Sequence, residues 1–221
     1  MKRALIIGSS GGIGSAMQAV LQARDVDVIG LSRSGDGLDV TSEASVKAHL
    51  RALDGAFDLI FVATGALEIS GAQPEKSLNT LNWQALMDQY ALNAIGPMLV
   101  LKHAVRLLPK DCPAVFAALS ARVGSIGDNR LGGWYGYRAS KAALNQLIHG
   151  AAIELARSHR ELACVCMHPG TVATDFTAKY LGRHPAVTRD HAAERLIKVI
   201  EGLGAADTGR FIDYAGQDIP W

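Results

Sequence analysis

Tyr137-Arg-Ala-Ser-Lys141 sets a phenol and an ammonium at the i, i+4 spacing that makes two side chains neighbours on one helix face. A phenol ionises near pH 10 and is a poor acid–base group at neutral pH, but a nearby ammonium favours the phenolate and lowers that value. Such a pair can give a proton to a carbonyl oxygen as hydride reaches the carbon, or take it back from an alcohol. A second group of residues lies at the start of the chain, in Ala4-Leu-Ile-Ile-Gly8-Ser-Ser-Gly-Gly12-Ile-Gly14. Ala4 to Ile7 predict a buried parallel strand. The glycines allow a tight turn and close approach to a pyrophosphate. The apolar-periodic run from Ile13 to Leu21 predicts a helix whose free N–H groups face the anion. The spacing of Gly8, Gly12 and Gly14 is wider than the G-x-G-x-x-G fingerprint, and by itself it names no ligand.

The elements that must position these residues alternate along the chain. Strands are predicted over Arg3–Ile7, Val26–Leu31, Leu38–Val40, Leu59–Ala63, Ala114–Leu119, Leu162–Met167 and Arg210–Tyr214. Helices are predicted near Ser15–Ala23, Thr41–Leu53, Trp83–Leu108, Tyr137–Arg157 and Thr188–Gly202. This alternation predicts a single α/β domain over residues 1–221. Its architecture is Rossmann-type and doubly wound, with about seven parallel strands, right-handed crossovers and helices on both faces. Three loops that follow strand ends, Gly65–Leu81, Gly124–Trp134 and Gly170–Val187, fall where ligands collect in an open α/β sheet.

Composition narrows the classes of function. Of 221 residues, 49% are hydrophobic, 23 are glycine and 6% are aromatic, which suits a parallel sheet wrapped by helices. The net charge of +1 points to neither nucleic acid nor a charged membrane as partner. No apolar run reaches the roughly 18 residues a membrane span needs, and Ala4–Ile7 is too short for the core of a signal peptide. Cys112, Cys164 and Cys166 form no C-x-x-C, and they read as buried reduced thiols in a cytoplasmic protein. The seven histidines lack ligand spacing, so no metal site is expected.

Taken together, the motifs resemble the short-chain dehydrogenase/reductase family, over essentially the whole chain. Gly8-x-x-x-Gly12-Ile13-Gly14, with Ser10 inside it, matches that family's cofactor loop, and Tyr137-x-x-x-Lys141 its catalytic pair. Asn93 in Ala91-Leu-Asn-Ala-Ile-Gly-Pro97 matches its helix asparagine. Pro169-Gly170, followed by Val172, Thr174 and Asp175, matches the segment after its sixth strand. The resemblance implies that Tyr137 is the proton donor or acceptor. It implies that Lys141 binds the nicotinamide ribose and lowers the tyrosine pKa, and that Asn93 holds a water linking the lysine to solvent. The family also uses a serine, usually the second of a pair, to bind the substrate carbonyl. Here that second position is Ala121; Ser120, at the strand's carboxyl end, is the first candidate, and Ser125 competes with it.

Other matches bear on the cofactor. Where the family reads Asn-Asn-Ala-Gly, this chain has Val62-Ala63-Thr64-Gly65, which leaves Ala63 and Gly65 to meet the adenine ribose through the backbone. Gly30-Leu-Ser32-Arg33-Ser34 carries no carboxylate at the position that selects the 2′-hydroxyl, so NADP(H) is favoured over NAD(H), with Ser32, Arg33 and Ser34 as phosphate contacts. Gly11 stands where NADP-preferring relatives often have a second basic residue. Asp39 and Val40 resemble the adenine-contacting segment, and Thr174 is expected at the carboxamide or the pyrophosphate. The segments around Ser120–Lys141 and Gly209–Trp221 resemble the C-factor and sniffer-type carbonyl reductase branch. That branch implies NADPH-dependent reduction of aldehydes, ketones or quinones. It also includes signalling proteins, in which cofactor binding counts for more than turnover. Trp134, Phe176 and Tyr180 are candidate substrate walls. The helices Trp83–Leu108 and Tyr137–Arg157, with Ala142, Ala143 and Ala151, are candidate contacts in a homodimer or tetramer.

Overall fold

Apolar side chains in unbroken runs build a sheet that is covered on both faces. The computed structural model describes residues 1–174, 177, 179–180 and 186–221. Its strands are β1 (Arg3–Ile7), β2 (Asp27–Leu31), β3 (Leu59–Val62), β4 (Ala114–Leu119), β5 (Leu162–His168) and β6 (Phe211–Asp213). They form one six-stranded sheet in the order β2-β1-β3-β4-β5-β6, and every neighbouring pair is parallel. Alternate residues of each strand feed two cores. Leu5, Ile7, Ile60, Val62 and Phe116 pack against α3 (Glu43–Arg51), α5 (Gly96–Ala104) and α6 (Tyr135–Leu155). Ala4, Ile6, Leu59, Phe61 and Val115 pack against α1 (Gly12–Gln22) and α7 (Arg189–Glu201).

Among the described residues six strands form where about seven were predicted, because Leu38–Val40 does not pair into the sheet. Two of its N–H groups are satisfied locally. The N–H of Leu38 donates to the carbonyl of Ser32 at 3.1 Å, and that of Asp39 donates to Ser45 Oγ at 3.0 Å. Leu38 and Val40 still bury their side chains in the first core, so their apolar pattern reports burial and not strand pairing. Between β2 and this segment lies a single helical turn, α2 (Arg33–Asp36), capped by Ser32.

The predicted helix Trp83–Leu108 is interrupted. α4 (Trp83–Tyr90) runs into a wide π-type turn at Ala91–Ile95 before α5, and Val105–Leu107 is a tight 3-10 turn. Pro97 explains the break. It has no N–H to give to the carbonyl of Asn93, four residues back, and its ring crowds that carbonyl. The helix widens instead, with Gly96 N–H bonded to the carbonyl of Ala91. Such turns recur at functional sites.

Cys164 and Cys166 are buried as expected, whereas Cys112 is exposed, a correction to its reading as a core thiol. It lies in the loop just ahead of β4, outside the apolar run that buries the other two.

Candidate active site

The sheet order turns at β1, with β2 on one side of it and β3 on the other. In open α/β sheets a crevice forms at the carboxyl ends of the strands beside such a switch point. Here it is a cavity of about 490 Å³. Residues that follow β1, β3, β4 and β5 converge on it, together with the first turns of α6. Of the sequence-predicted residues, Gly12, Ile13, Ala63 and Gly65 line one part, and Ser120, Tyr137 and Lys141 another. Pro169, Gly170, Val172 and Thr174 border it as well, as do Trp134 and Tyr180 from the predicted walls. Phe176 and Asp175 lie outside the described residues.

The glycine loop is shaped by close approach. Gly8 has φ +90°, and a Cβ at Gly14 would stand 2.1 Å from the carbonyl oxygen of Gly8. The first turn of α1 has no side-chain cap at Gly11, so its donors remain available to an anion. A Cβ at Gly12 would meet Thr174 Cγ2 at 2.7 Å, which brings the segment after β5 against the start of α1. Gly8 and Gly14 build the turn, while Ser10, an exposed residue, lies at its tip.

Across the cavity, one face of α6 carries Tyr137 and Lys141, both buried. Lys141 Nζ donates to the carbonyl of Leu119 at 2.9 Å and stands 6.0 Å from the centroid of the Tyr137 ring. Burial pushes the lysine down to about 8. Burial also pushes the Tyr137 phenol above its usual value, which corrects the expectation that the ammonium lowers it. Leaving water disfavours the charged phenolate. His168, at the end of β5, also lines the cavity, and burial together with the Arg122 charge pushes it down to about 4.

Gly65 (φ +150°) lies between these parts: a Cβ there would come within 2.8 Å of Asn93 Oδ1 and 3.3 Å of Lys141 Nζ. Asn93 is fully buried in the π-type turn. Its amide accepts from the N–H of Ala66 and donates to the carbonyl of Ala66, both at 2.9 Å. It also donates to Gln89 Oε1 at 2.6 Å. The asparagine thus clamps the loop after β3 beside the lysine.

The two serines separate cleanly. Ser120 borders the cavity, and its hydroxyl donates to Asn145 Oδ1 at 2.6 Å. Ser125 does not line the cavity, and its Oγ accepts from the N–H of Asp128 at 3.1 Å.

At the end of β2, Ser32 is buried and Arg33 exposed, beyond the lining of the main cavity. Asp36 Oδ2 accepts from the N–H of Ser32 at 2.8 Å and from its hydroxyl at 3.3 Å. A carboxylate therefore stands where none was read from the strand end. Asp39 Oδ1 accepts from the N–H of Thr41 at 2.9 Å and its hydroxyl at 2.6 Å, bonds that hold the carboxyl below its usual range. Val40 is buried against Gly96.

Other side chains at the site were missed by sequence reasoning. Glu75 Oε2 accepts from the N–H of Gly136 at 3.1 Å, so a carboxylate caps the start of α6 one residue before Tyr137. Trp134, left-handed at φ 49°, donates its N–H to the carbonyl of Glu75 at 2.6 Å. Arg122, Val123 and Thr177 also line the cavity. Position at the carboxyl ends of β4 and β5 was the available signal for Arg122 and His168. Glu75 had none.

Among the described residues no group of metal-ligating side chains occurs, and no helix is long and apolar enough to cross a membrane.

Known proteins resemble this chain throughout. The family model for short chain dehydrogenase matches residues 2–183. A Rhodococcus sp. (strain AD45) protein, 1-hydroxy-2-glutathionyl-2-methyl-3-butene dehydrogenase, is 32% identical over all of both chains. The C-signal of Myxococcus xanthus is 30% identical over 66% of this chain and 84% of its own. A short-chain dehydrogenase/reductase from Burkholderia multivorans, solved with bound NADP, superposes with a TM-score of 0.84 at 27% identity and covers 100% of this chain and 99% of its own. The carbonyl reductase Sniffer of D. melanogaster, at 20% identity, shares the fold with a TM-score of 0.81 over 100% of both chains. With its parallel sheet, its glycine turn and its Tyr137–Lys141 pair, the chain belongs to the short-chain dehydrogenase family.

Proposed function

We propose that residues 1–221 form one NADP(H)-dependent oxidoreductase domain that interconverts a carbonyl and an alcohol on a small molecule. The observation that carries this reading is the convergence of Tyr137, Lys141 and Ser120 with Gly12 and Thr174 on one cavity. The Burkholderia relative binds NADP, and the Rhodococcus relative is named for the dehydrogenation of a glutathionyl alcohol. When bound, the cofactor supplies or accepts the hydride.

The chain's own groups handle everything else. The uncapped first turn of α1 and Thr174 would hold the pyrophosphate, and Ser32 and Arg33 the 2′-phosphate. Asp39, Val40, Ala63 and Gly65 would face the adenosine half, and Pro169, Gly170 and Val172 the nicotinamide half. Ser120 would orient the substrate oxygen. The Tyr137 phenol, kept protonated by burial, gives its proton to that oxygen as the carbon receives hydride, so C=O becomes CH–OH. Lys141 would steady the phenolate left behind and would bind the nicotinamide ribose. Asn93 keeps the β3 loop and the lysine in register. Trp134 and Tyr180, whose rings meet edge-on at 5.4 Å, form an apolar wall for the substrate.

A second reading is favoured by the similarity to C-signal: an NADP(H)-binding signalling protein with little turnover. One experiment separates the two. NADPH and NADH are titrated, and then aldehydes, ketones and quinones are screened with wild type and Tyr137→Phe. We expect NADPH-dependent reduction, lowered about a hundredfold or more by the substitution while NADPH still binds. Equal turnover by the two proteins would refute the catalytic assignment, and binding without turnover would favour signalling. Trp83, Met87, Tyr90 and Ile95 are exposed on the α4–α5 rod, which supports a homo-oligomer readable by light scattering.

A further inference from the structure

Tyr137, Lys141 and Asn145 follow one another at i, i+4 and i+8, so a third polar side chain continues the catalytic stripe of α6. Asn145 is 2% exposed. Its Oδ1 accepts the hydroxyl proton of Ser120 at 2.6 Å. Its Nδ2 is buried and has no partner among the described residues. A buried amide donor left unmade costs about 1–3 kcal/mol, so an orphan of this kind asks for a reason.

A hydroxyl has one proton. While that proton points at Asn145, Ser120 has none to offer a substrate oxygen. A half-turn of the amide about its last side-chain bond exchanges the two ends. Nδ2 then donates to Ser120 Oγ, and the hydroxyl proton is released toward the cavity that Ser120 borders. The turned Oδ1 takes the place of the orphaned Nδ2. Asn145 also borders a second cavity of about 210 Å³, with Gln146 and His149 among its walls.

We propose that Asn145 is a positioning residue that sets the direction of the Ser120 hydroxyl, donating to it in the working complex so that Ser120 donates to the substrate oxygen. This role rests on the redox reading above. An asparagine is required because it alone offers a donor and an acceptor on one rotatable group of this size. Aspartate at this position keeps the shape and the acceptor but has no donor, and it fixes the serine proton in the unproductive direction.

The test compares steady-state reduction by wild type, Ser120→Ala, Asn145→Asp, Asn145→Ala and the double variant Ser120→Ala/Asn145→Ala, with NADPH affinity and thermal melts alongside. We expect Asn145→Asp to lower kcat about as far as Ser120→Ala, near a hundredfold, with the KM for NADPH unchanged. Asn145→Ala, which leaves the hydroxyl free to turn, should lose less than Asn145→Asp. The double variant should be no slower than Ser120→Ala alone, because Asn145 acts through the serine. A purely structural asparagine gives the reverse order, with the same-shaped aspartate milder than alanine, and losses that multiply in the double variant. Either result overturns the proposal. If Asn145→Asp does not fold, the cycle built on Asn145→Ala decides. Absence of turnover in the wild type overturns the redox reading and this role together, whereas wild-type turnover with multiplying losses overturns this role alone.

Discussion

Lys141 Nζ donates to the main-chain carbonyl of Leu119 at 2.9 Å, so the catalytic face of α6 is tied to the carboxyl end of β4. That bond holds a buried ammonium beside the β4 end where Ser120 follows. Burial pushes Lys141 down to about 8 and raises the phenol of Tyr137. The site is therefore set as an acid, with its proton on the tyrosine.

A pH dependence follows from the lysine. Reduction needs Tyr137 protonated and Lys141 charged, so kcat/KM should be level below about pH 8 and decline above it as the ammonium loses its proton. Lys141→Arg, which keeps its charge, should be slower but should lack that decline. A wild-type profile that stays flat to pH 9.5 or so would count against the assignment. The sign for stability is opposite. Between about 8 and 10.5 the unfolded chain holds more protons at this group than the folded one, so its contribution to stability rises with pH.

The two serines should behave differently. Ser120→Ala should cut kcat about a hundredfold with little change in melting temperature beyond the lost bond to Asn145. Ser125→Ala should leave kcat nearly unchanged and cost about 1 kcal/mol of stability, because its Oγ accepts from the N–H of Asp128. Side-by-side kinetics and urea unfolding check both, and the opposite pattern would move the catalytic role to Ser125.

Cofactor choice should respond to Arg33 and Asp36 in opposite senses. Asp36 is held on Ser32 by two hydrogen bonds, which puts a negative charge near any 2′-phosphate bound there. Asp36→Asn should tighten NADPH relative to NADH, and Arg33→Ala should weaken NADPH about tenfold or more. Fluorescence titration with both nucleotides measures each ratio. An unchanged ratio in Arg33→Ala removes the arginine from phosphate recognition.

The glycine turn should tolerate no methyl group at position 14. Gly14→Ala places a Cβ 2.1 Å from the Gly8 carbonyl oxygen, a clash that only a backbone shift relieves. We expect a loss of about 1–3 kcal/mol and loss of the stabilisation that NADPH gives the wild type in thermal melts.

Much of this was legible in the chain itself. The limits of β1 and β4, the i, i+4 placement of Tyr137 and Lys141, and the glycine turn all depend on interactions within a few residues. Local periodicity encodes those. Leu38–Val40 shows where that code stops, since its apolar pattern demanded burial and the core supplied it without a strand. The helix break at Asn93 was also written locally, in Pro97, but only the packed site shows why the widened turn sits where Asn93 clamps Ala66.

What the tertiary structure decided concerns partners distant in sequence. Ser120 and Asn145 are 25 residues apart, and Glu75 caps Gly136 across 61. No spacing rule reaches so far, because such contacts exist only once the sheet order and the helix layers are set. Ionisation is decided in the same way. Tyr137 and Lys141 taken as a pair predict a lowered phenol pKa, but burial by the assembled fold raises it. The sequence names the reacting groups, and the enclosure formed by the fold determines where their protons reside.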